Sequence, residues 1–299
     1  MPKIGLSGKA IVITGASSGI GRATAIECAR AGMPVLVAAR REDRLVELVE
    51  QIRTNGGAAE YAIVDVVSQE QCAAMIAKAR EAFGGVYAVF ANAGYGEEIA
   101  MHEMSDNQLR RMFEVNFFGS LNAIRPALSA MIERRSGHAI MCSSCVSKLT
   151  LPFYGAYAAT KAAQNHVGRA MRLELEPFGV HVSTVHPVGT KTEFFDVAKE
   201  RSGSAPLVEH SPERFLQPAD RVARAVVKCL YKPRAEVWTS PFVRLGMAIA
   251  MPIPHIADAA LRRMVRRRLD LRAQPVTSRD AIAQSGDTQP SPAMESTGA

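Results

Sequence analysis

The sequence predicts a doubly wound α/β fold, a parallel sheet with helices on both faces, as a single domain followed by a C-terminal helical extension. Three observations carry that expectation. Short apolar runs alternate with longer stretches of helical spacing, the pattern of parallel crossover units. A glycine-rich turn joins the first apolar run to the first helical stretch. Nothing before residue 240 reads as a linker or a repeat of solenoid period.

The elements follow in order. Residues 9–14 form a short apolar run ending in glycines, which fits a buried strand, and 20–31 continue with helical spacing to a stop at Gly32. A second strand is expected at 34–39 and a second helix at 44–55, closed by Gly56 and Gly57. A third strand at 59–64 precedes a helix at 69–83, and a fourth strand follows at 86–91. Residues 109–134 read as one long helical region, 138–142 as a fifth strand, 156–176 as another helix and 180–185 as a sixth strand. Sheets of this kind bind ligands at the carboxyl ends of their strands, near the point where strand order reverses. The domain is expected over 1–250, a basic amphipathic extension over 251–273, and a disordered tail rich in Ser, Pro, Gln, Thr and Gly over 274–299.

Composition excludes several classes. With 47% hydrophobic and 22% charged residues among 299, the chain should bury a substantial core. The net charge of +7 is concentrated: between residues 257 and 272 six arginines face only Asp258 and Asp270. No aromatic residues interleave with them, which argues against a nucleic-acid partner. The five cysteines form no secreted disulfide pattern and residues 1–6 carry no apolar leader, so a cytoplasmic setting is expected. No apolar run reaches spanning length; residues 245–256 are too short and contain Pro252 and Pro254. The seven histidines show no metal spacing, and His186 reads as a loop residue. Cys142 and Cys145 are formally a CxxC pair, but they end a strand rather than open a helix, where a thiol would be activated.

The turn itself is Thr14-Gly-Ala-Ser-Ser-Gly-Ile-Gly21. Gly15, Gly19 and Gly21 permit a tight turn, close approach of backbone to a pyrophosphate, and close helix packing. The helix N-terminus behind them offers free N–H groups to an anion. Tyr157 and Lys161 stand four apart in a helical stretch and so share a face. A phenol beside an ammonium is expected to have a lowered pKa, nearer to what proton transfer at neutral pH requires.

The turn, Asn92-Ala93-Gly94, Asn116, Ser144, Tyr157-Ala-Ala-Thr-Lys161 and the Pro187 turn together resemble the short-chain dehydrogenase/reductase family, over about residues 7–240. The resemblance implies a Rossmann-type fold, a nicotinamide dinucleotide and hydride transfer between it and a ketone, aldehyde or secondary alcohol. Tyr157 would be the acid/base. Ser144, thirteen residues before it, would hold the substrate oxygen, with Ser143 the alternative. Asn116 would kink a helix and hold a water linking Lys161 to solvent, and Lys161 would also hold ribose hydroxyls. Ser17, Ser18 and Ile20 in the turn, Asn92, Ala93 and Gly94, Asp65 and Val66 at the adenine, and Pro187, Thr190 and Thr192 near the carboxamide would complete the cofactor contacts. Ala39, then Arg40 and Arg41, end the second strand without a carboxylate, which points to the 2′-phosphate of NADP(H).

The loop after the sixth strand departs from the family pattern, with Val188 for a glycine and Thr190 for an aliphatic residue, and Ser147 stands where the family has glycine. Residues 193–216 correspond to the family's mobile lid, with Phe194 and Phe195 as apolar contacts. Family members often form dimers or tetramers through helices corresponding to 109–134 and 156–176. The stretch 245–272 is expected to pack on protein or to touch an anionic membrane surface, and membrane contact would favour a lipophilic substrate. A second reading is a catalytically silent NADPH-binding regulatory or scaffold protein of the same fold.

Overall fold

The computed structural model describes residues 3–149, 151–202 and 216–252, with scattered positions between 255 and 266. Met1–Pro252 form one compact unit and Ile253–Ala299 a second. Strands β1 (Ile11–Thr14), β2 (Val35–Ala39), β3 (Ala59–Ile63), β4 (Ala88–Ala91), β5 (Gly137–Cys142) and β6 (Val180–His186) fall where the sequence places them. Helices α1 (Gly19–Arg30), α2 (Glu42–Thr54) and α3 (Gln69–Phe83) fill the first three crossovers. With β9 (Glu236–Trp238) they make a seven-stranded parallel sheet in the order β3-β2-β1-β4-β5-β6-β9. The order reverses between β1 and β4, and the switch-point crevice therefore opens beyond Thr14 and Ala91.

The central strands are apolar throughout because both faces are covered. In β1, Ile11 and Ile13 pack with Cys28, Leu48 and Val226 on one side, while Val12 joins Met75, Ile124 and Met131 on the other. β2 divides in the same way, Val35 and Val37 to the first core and Leu36 and Ala38 to the second. The first layer is α1, α2 and α8 (Ala219–Tyr231); the second is α3, α5 (Gly119–Glu133) and α6 (Gly155–Leu175). Ser68 caps α3 by accepting from the Gln71 N–H, and Gly84 at φ +74° ends it.

The structure corrects several sequence expectations. The region 109–134 is not one helix: α4 (Asp106–Phe113), started by a capping box between Ser105 and Gln108, runs through a π-helical turn at Glu114–Phe118 into α5. A π turn adds a residue to one turn and rotates the side chains after it, which aims Asn116 inward. β9 was not expected, because Glu236-Val-Trp238 is too short to read as a strand without its partner β6. The same holds for the small parallel pair β7 (Thr190–Lys191) and β8 (Gln217–Pro218). His186 is no loop residue; it ends β6 fully buried.

Of the lid expected over 193–216, α7 (Phe194–Ser202) is helix, and residues 203–215 lie outside the described residues. α9 (Pro241–Ala250), capped by Ser240, follows β9. Of the extension expected over 251–273, positions 251–252 are described as a turn and 255, 258–259, 261–263 and 265–266 as helix; the tail expected over 274–299 lies outside the described residues. No described helix is long and apolar enough to cross a membrane.

Candidate active site

A cleft of about 600 Å³ opens at the carboxyl ends of the strands. Gly15 and Gly19, both at positive φ (+65° and +53°), form its floor on the β1 side. A Cβ on Gly15 would come within 2.8 Å of the Ala93 Cα, so the turn lies directly on the β4 loop. Asn92 ties the two together, its Nδ2 donating to the carbonyls of Thr14 (3.1 Å) and Gly15 (3.3 Å). Ser18 precedes α1 in extended conformation and makes no side-chain cap, which leaves the first N–H groups of the helix directed at the turn.

Arg41 reaches the same turn. Its Nη2 donates to Ser17 (3.1 Å), Ser18 (3.0 Å) and the Glu193 carboxylate (2.8 Å). The guanidinium draws the Glu193 carboxyl below the usual carboxylate range. Arg40, exposed, lines the cleft beside it. At the other rim Arg111 pairs with Asp65 at 3.3 Å, next to Val66. Pro187, Thr190 and Thr192 close the opposite wall, and a Cβ on Gly19 would sit 2.8 Å from the Thr192 methyl.

The polar cluster lies across the cleft from the glycine turn. Ser143 and Ser144 follow β5, and their backbone directions separate them. The Ser143 hydroxyl donates to the Lys161 carbonyl (2.8 Å) and is thereby fixed against α6. The Ser144 hydroxyl faces the cleft beside the Tyr157 phenol and accepts from the Val146 N–H at 3.3 Å. Lys161, buried one turn along α6, lies with Nζ 5.5 Å from the Tyr157 ring centre and donates to the Cys142 carbonyl at 2.7 Å.

The expectation that Lys161 lowers the Tyr157 pKa is not met in this arrangement. Burial among Tyr154, Phe194 and the α6 backbone pushes the phenol up, and the Ser144 hydrogen bond offsets only part of that. The ammonium is turned to a carbonyl rather than to the phenol oxygen. Burial in turn pulls Lys161 down to about 8. Tyr157 therefore holds its proton at neutral pH, as a group must if it is to give that proton away.

Asn116 and Gly21 stand behind the cleft rather than in its lining. The Asn116 side chain accepts from the Tyr95 N–H (2.9 Å) and donates to the Tyr95 carbonyl (2.9 Å) and Thr160 hydroxyl (3.1 Å). Its main-chain carbonyl accepts from both Ser120 and Gln164 at 2.7 Å. That carbonyl has both lone pairs engaged, and the residue clamps the β4 loop, carrying Gly94, onto α6. Cys142 and Cys145 are free thiols, both raised by burial.

Some lining residues were not foreseen. Tyr95 and Tyr154 flank the expected motifs, and adjacency to Gly94 and Tyr157 was the available signal. Arg111, Glu193 and Arg201 carried none, since each arrives from a separate element. Phe194 packs on Tyr157 with ring centres 5.3 Å apart, and Arg201 lies over the Tyr95 ring at 4.4 Å.

Comparison with known proteins agrees with this layout. A family model described as short chain dehydrogenase matches residues 9–202. An uncharacterized oxidoreductase of Listeria monocytogenes is 32% identical over 230 residues, covering 76% of this chain and 92% of that protein. The 3-ketodihydrosphingosine reductase of Bos taurus is 30% identical, covering 75% and 69%. A short-chain dehydrogenase/reductase of Burkholderia phymatum solved with NAD superposes with a TM-score of 0.76 at 26% identity, over 85% of this chain and 96% of that one. An alcohol dehydrogenase of Thermococcus sibiricus solved with 5-hydroxy-NADP gives 0.67 at 31% identity, over 77% and 95%. The glycine turn at the switch point, the ordered Ser, Tyr and Lys facing it and these matches all lead to one assignment: the chain is an oxidoreductase of the short-chain dehydrogenase family.

Proposed function

We propose that this protein is an NADP(H)-dependent oxidoreductase acting on a ketone, an aldehyde or a secondary alcohol. The observation that carries the reading is the Ser144 hydroxyl beside the Tyr157 phenol on the wall facing the glycine turn, with Lys161 buried beneath the ring. The site fits a dinucleotide. The turn leaves no room for a Cβ at Gly15, a helix N-terminus stands uncapped behind Ser18, and Arg41 presents its fork between two serine hydroxyls. Gly15, Ser17, Ser18, Gly19 and Ile20 would hold the phosphates, Arg40 and Arg41 a 2′-phosphate, and Asp65 and Val66 the adenine. Asn92, Ala93, Gly94, Pro187, Thr190, Thr192 and Lys161 would hold the nicotinamide half. When bound, the nicotinamide supplies hydride to the carbonyl carbon or takes it from the carbinol carbon.

The chain's own residues do the rest. Ser144 donates a hydrogen bond to the substrate oxygen and fixes it beside the phenol. Tyr157 gives its proton to that oxygen as negative charge develops there, and takes it back in the reverse direction. Asn116 keeps the β4 loop against α6, so that Gly94 and Lys161 hold their places. Both cofactor affinity and turnover can be read directly: NADPH should quench Trp238 emission more strongly than NADH, and a panel of carbonyls should consume NADPH. Tyr157→Phe should cut turnover about a thousandfold with cofactor affinity retained. Strong NADPH binding with no turnover on any carbonyl would leave the silent regulatory reading in its place.

The cleft wall of Leu151, Tyr154, Phe194, Phe195 and Val188 favours an apolar carbonyl compound, as does the lipid-ketone name of the Bos taurus relative. α9 supports a membrane-surface role. Phe242, Leu245 and Ile249, at 85%, 61% and 64% exposure, share one face, and the arginine-rich stretch to residue 272 follows in the chain. The full chain should sediment with phosphatidylglycerol vesicles and not with phosphatidylcholine vesicles; sedimentation with phosphatidylglycerol unchanged by Phe242→Ser with Leu245→Ser would reject this role. Exposed Phe118 and Leu173, at the start of α5 and near the end of α6, favour self-association through those helices, which light scattering would report as a dimer or tetramer.

A further inference from the structure

We propose that His186 is a positioning residue for Ser144, acting through a single neutral tautomer that holds the Ser144 carbonyl from behind. The proposal rests on the reading of Ser144 and Tyr157 above.

His186 ends β6 with no exposed surface. Its Nδ1 lies 3.1 Å from the Ser144 carbonyl oxygen and 3.2 Å from the Ser147 hydroxyl. Its Nε2 lies 3.0 Å from the Thr184 hydroxyl. A carbonyl only accepts, so Nδ1 must carry the proton. Nε2 is then an acceptor, and the Thr184 hydroxyl gives its one proton to it at 3.0 Å rather than to the Asn165 and Ala235 oxygens, each at 3.4 Å. Every polar atom of the ring is satisfied in this one tautomer, and the ring is neutral.

The ring is also fixed in its plane. It stacks on the indole of Trp238, centres 4.6 Å apart and 9° from parallel. The indole N–H donates to Glu236 at 3.0 Å, and Glu236 accepts from Lys148 at 3.0 Å. Lys148 closes the short helical turn Cys145–Lys148 that begins at Ser144. The turn carrying Ser144 is thus held twice: at its start from β6 by His186, which Trp238 of β9 backs, and at its end from β9 by the Lys148 to Glu236 pair. The Cys145 N–H adds a third tie, to the Pro187 carbonyl at 3.0 Å. Ser147 takes part through its contact with the imidazole, which gives its side chain a use at a position where the resemblance has glycine.

The Ser144 hydroxyl is set by its own backbone, which is extended at φ −160° and ψ 161°. Anchoring its carbonyl fixes the peptide plane, and with it the direction from which the hydroxyl meets Tyr157. Displacing such a group by a fraction of an ångström lowers the chemical step while leaving the remote cofactor contacts intact.

A pair of substitutions separates positioning from filling. An Asn side chain presents its amide where Nδ1 stands, whereas Gln presents it where Nε2 stands and fills more of the ring's volume. His186→Asn should keep kcat within about threefold, and His186→Gln should lower it about tenfold or more, with KM and NADPH affinity unchanged in both. A role in packing alone reverses that order, and equal kcat in the two variants also overturns the proposal. Nitrogen-15 NMR of the histidine rings in the wild-type chain provides a readout independent of turnover. The expected result is a His186 ring protonated at Nδ1 alone and unchanged across neutral pH; protonation at Nε2 overturns the proposal whatever the kinetics. Absence of wild-type turnover on every carbonyl would count against the proposed function instead, and the ring tautomer would still judge the hydrogen bond.

Discussion

The glycine turn at residues 14–21 and the wall behind Ser144 face each other across the cleft and are built in opposite ways. The turn is shaped by missing side chains: positive φ at Gly15 and Gly19, and backbone close enough to Ala93 that a Cβ at Gly15 has no place. The wall is shaped by side chains that fill it, with His186, Trp238, Thr184 and Ser147 meeting in one hydrogen-bonded and stacked group. The turn receives a ligand by leaving backbone N–H groups open, which suits an anion of fixed shape. The wall holds a hydroxyl in one direction, which suits a step that depends on geometry. The segment at Thr192 and Glu193 touches the turn from the wall's side, with Glu193 in the fork of Arg41.

The largest expected effect sharpens the wall's side of this contrast. Ser144→Ala should lower turnover about a hundredfold, because the hydroxyl that meets Tyr157 is lost. Ser143→Ala should cost about 1 kcal/mol of stability and leave turnover within a few-fold, because its hydroxyl serves the Lys161 carbonyl. Equal losses in the two variants would dissolve the distinction between neighbours. On the turn's side, Arg41→Ala should weaken NADPH binding about ten- to a hundredfold, the worth of charge-assisted hydrogen bonds, and change NADH binding little. The Trp238 titration measures both, and a parallel fall for the two cofactors would remove Arg41 from 2′-phosphate recognition. Glu193→Gln is the complementary case: relieved of its ionic competitor, Arg41 should bind NADPH a few-fold more tightly.

The smallest effect on activity concerns pH and belongs to the wall and its neighbour in β5. Burial pulls His186 down to about 4 and His138 to about 3. Between those values and the ordinary histidine pKa of about 6.5, the unfolded chain binds protons that the folded chain refuses. Stability is therefore full above that range and falls as pH drops through it, by on the order of a few kcal/mol. Urea midpoints at a series of pH values would show the slope, and His186→Asn should flatten part of it. A slope unchanged in the variant would mean that His186 takes up its proton in the folded chain.

Much of the turn was legible and much of the wall was not. Gly15, Gly19, Gly21 and Arg41 stand within 27 positions of one another in the sequence, and the steric demands of a tight turn are local. Tyr157 and Lys161 were legible for the same reason, one helical turn apart. His186 reads as an ordinary residue before a proline until β9, fifty positions later, pairs with β6 and brings Trp238 over its ring. The spacing of thirteen to Tyr157 favours Ser144 over Ser143, but the side of the backbone on which each hydroxyl falls depends on where β5 ends. The lowered Tyr157 pKa expected from spacing failed because spacing places Lys161 on the right face but does not fix what its ammonium bonds to.

By itself the sequence determined the alternation of strands and helices, the doubly wound class, the phosphate-side turn and the Tyr157 and Lys161 pair. These follow from apolar periodicity and from backbone sterics, which act over a few residues. The tertiary structure alone decided the seventh strand, the π turn at Asn116, and the hydrogen-bond partners of two adjacent serines and a buried histidine. Each of those depends on groups far apart in the chain sharing a dry interior, where an unpaired donor or acceptor is costly enough to select one arrangement.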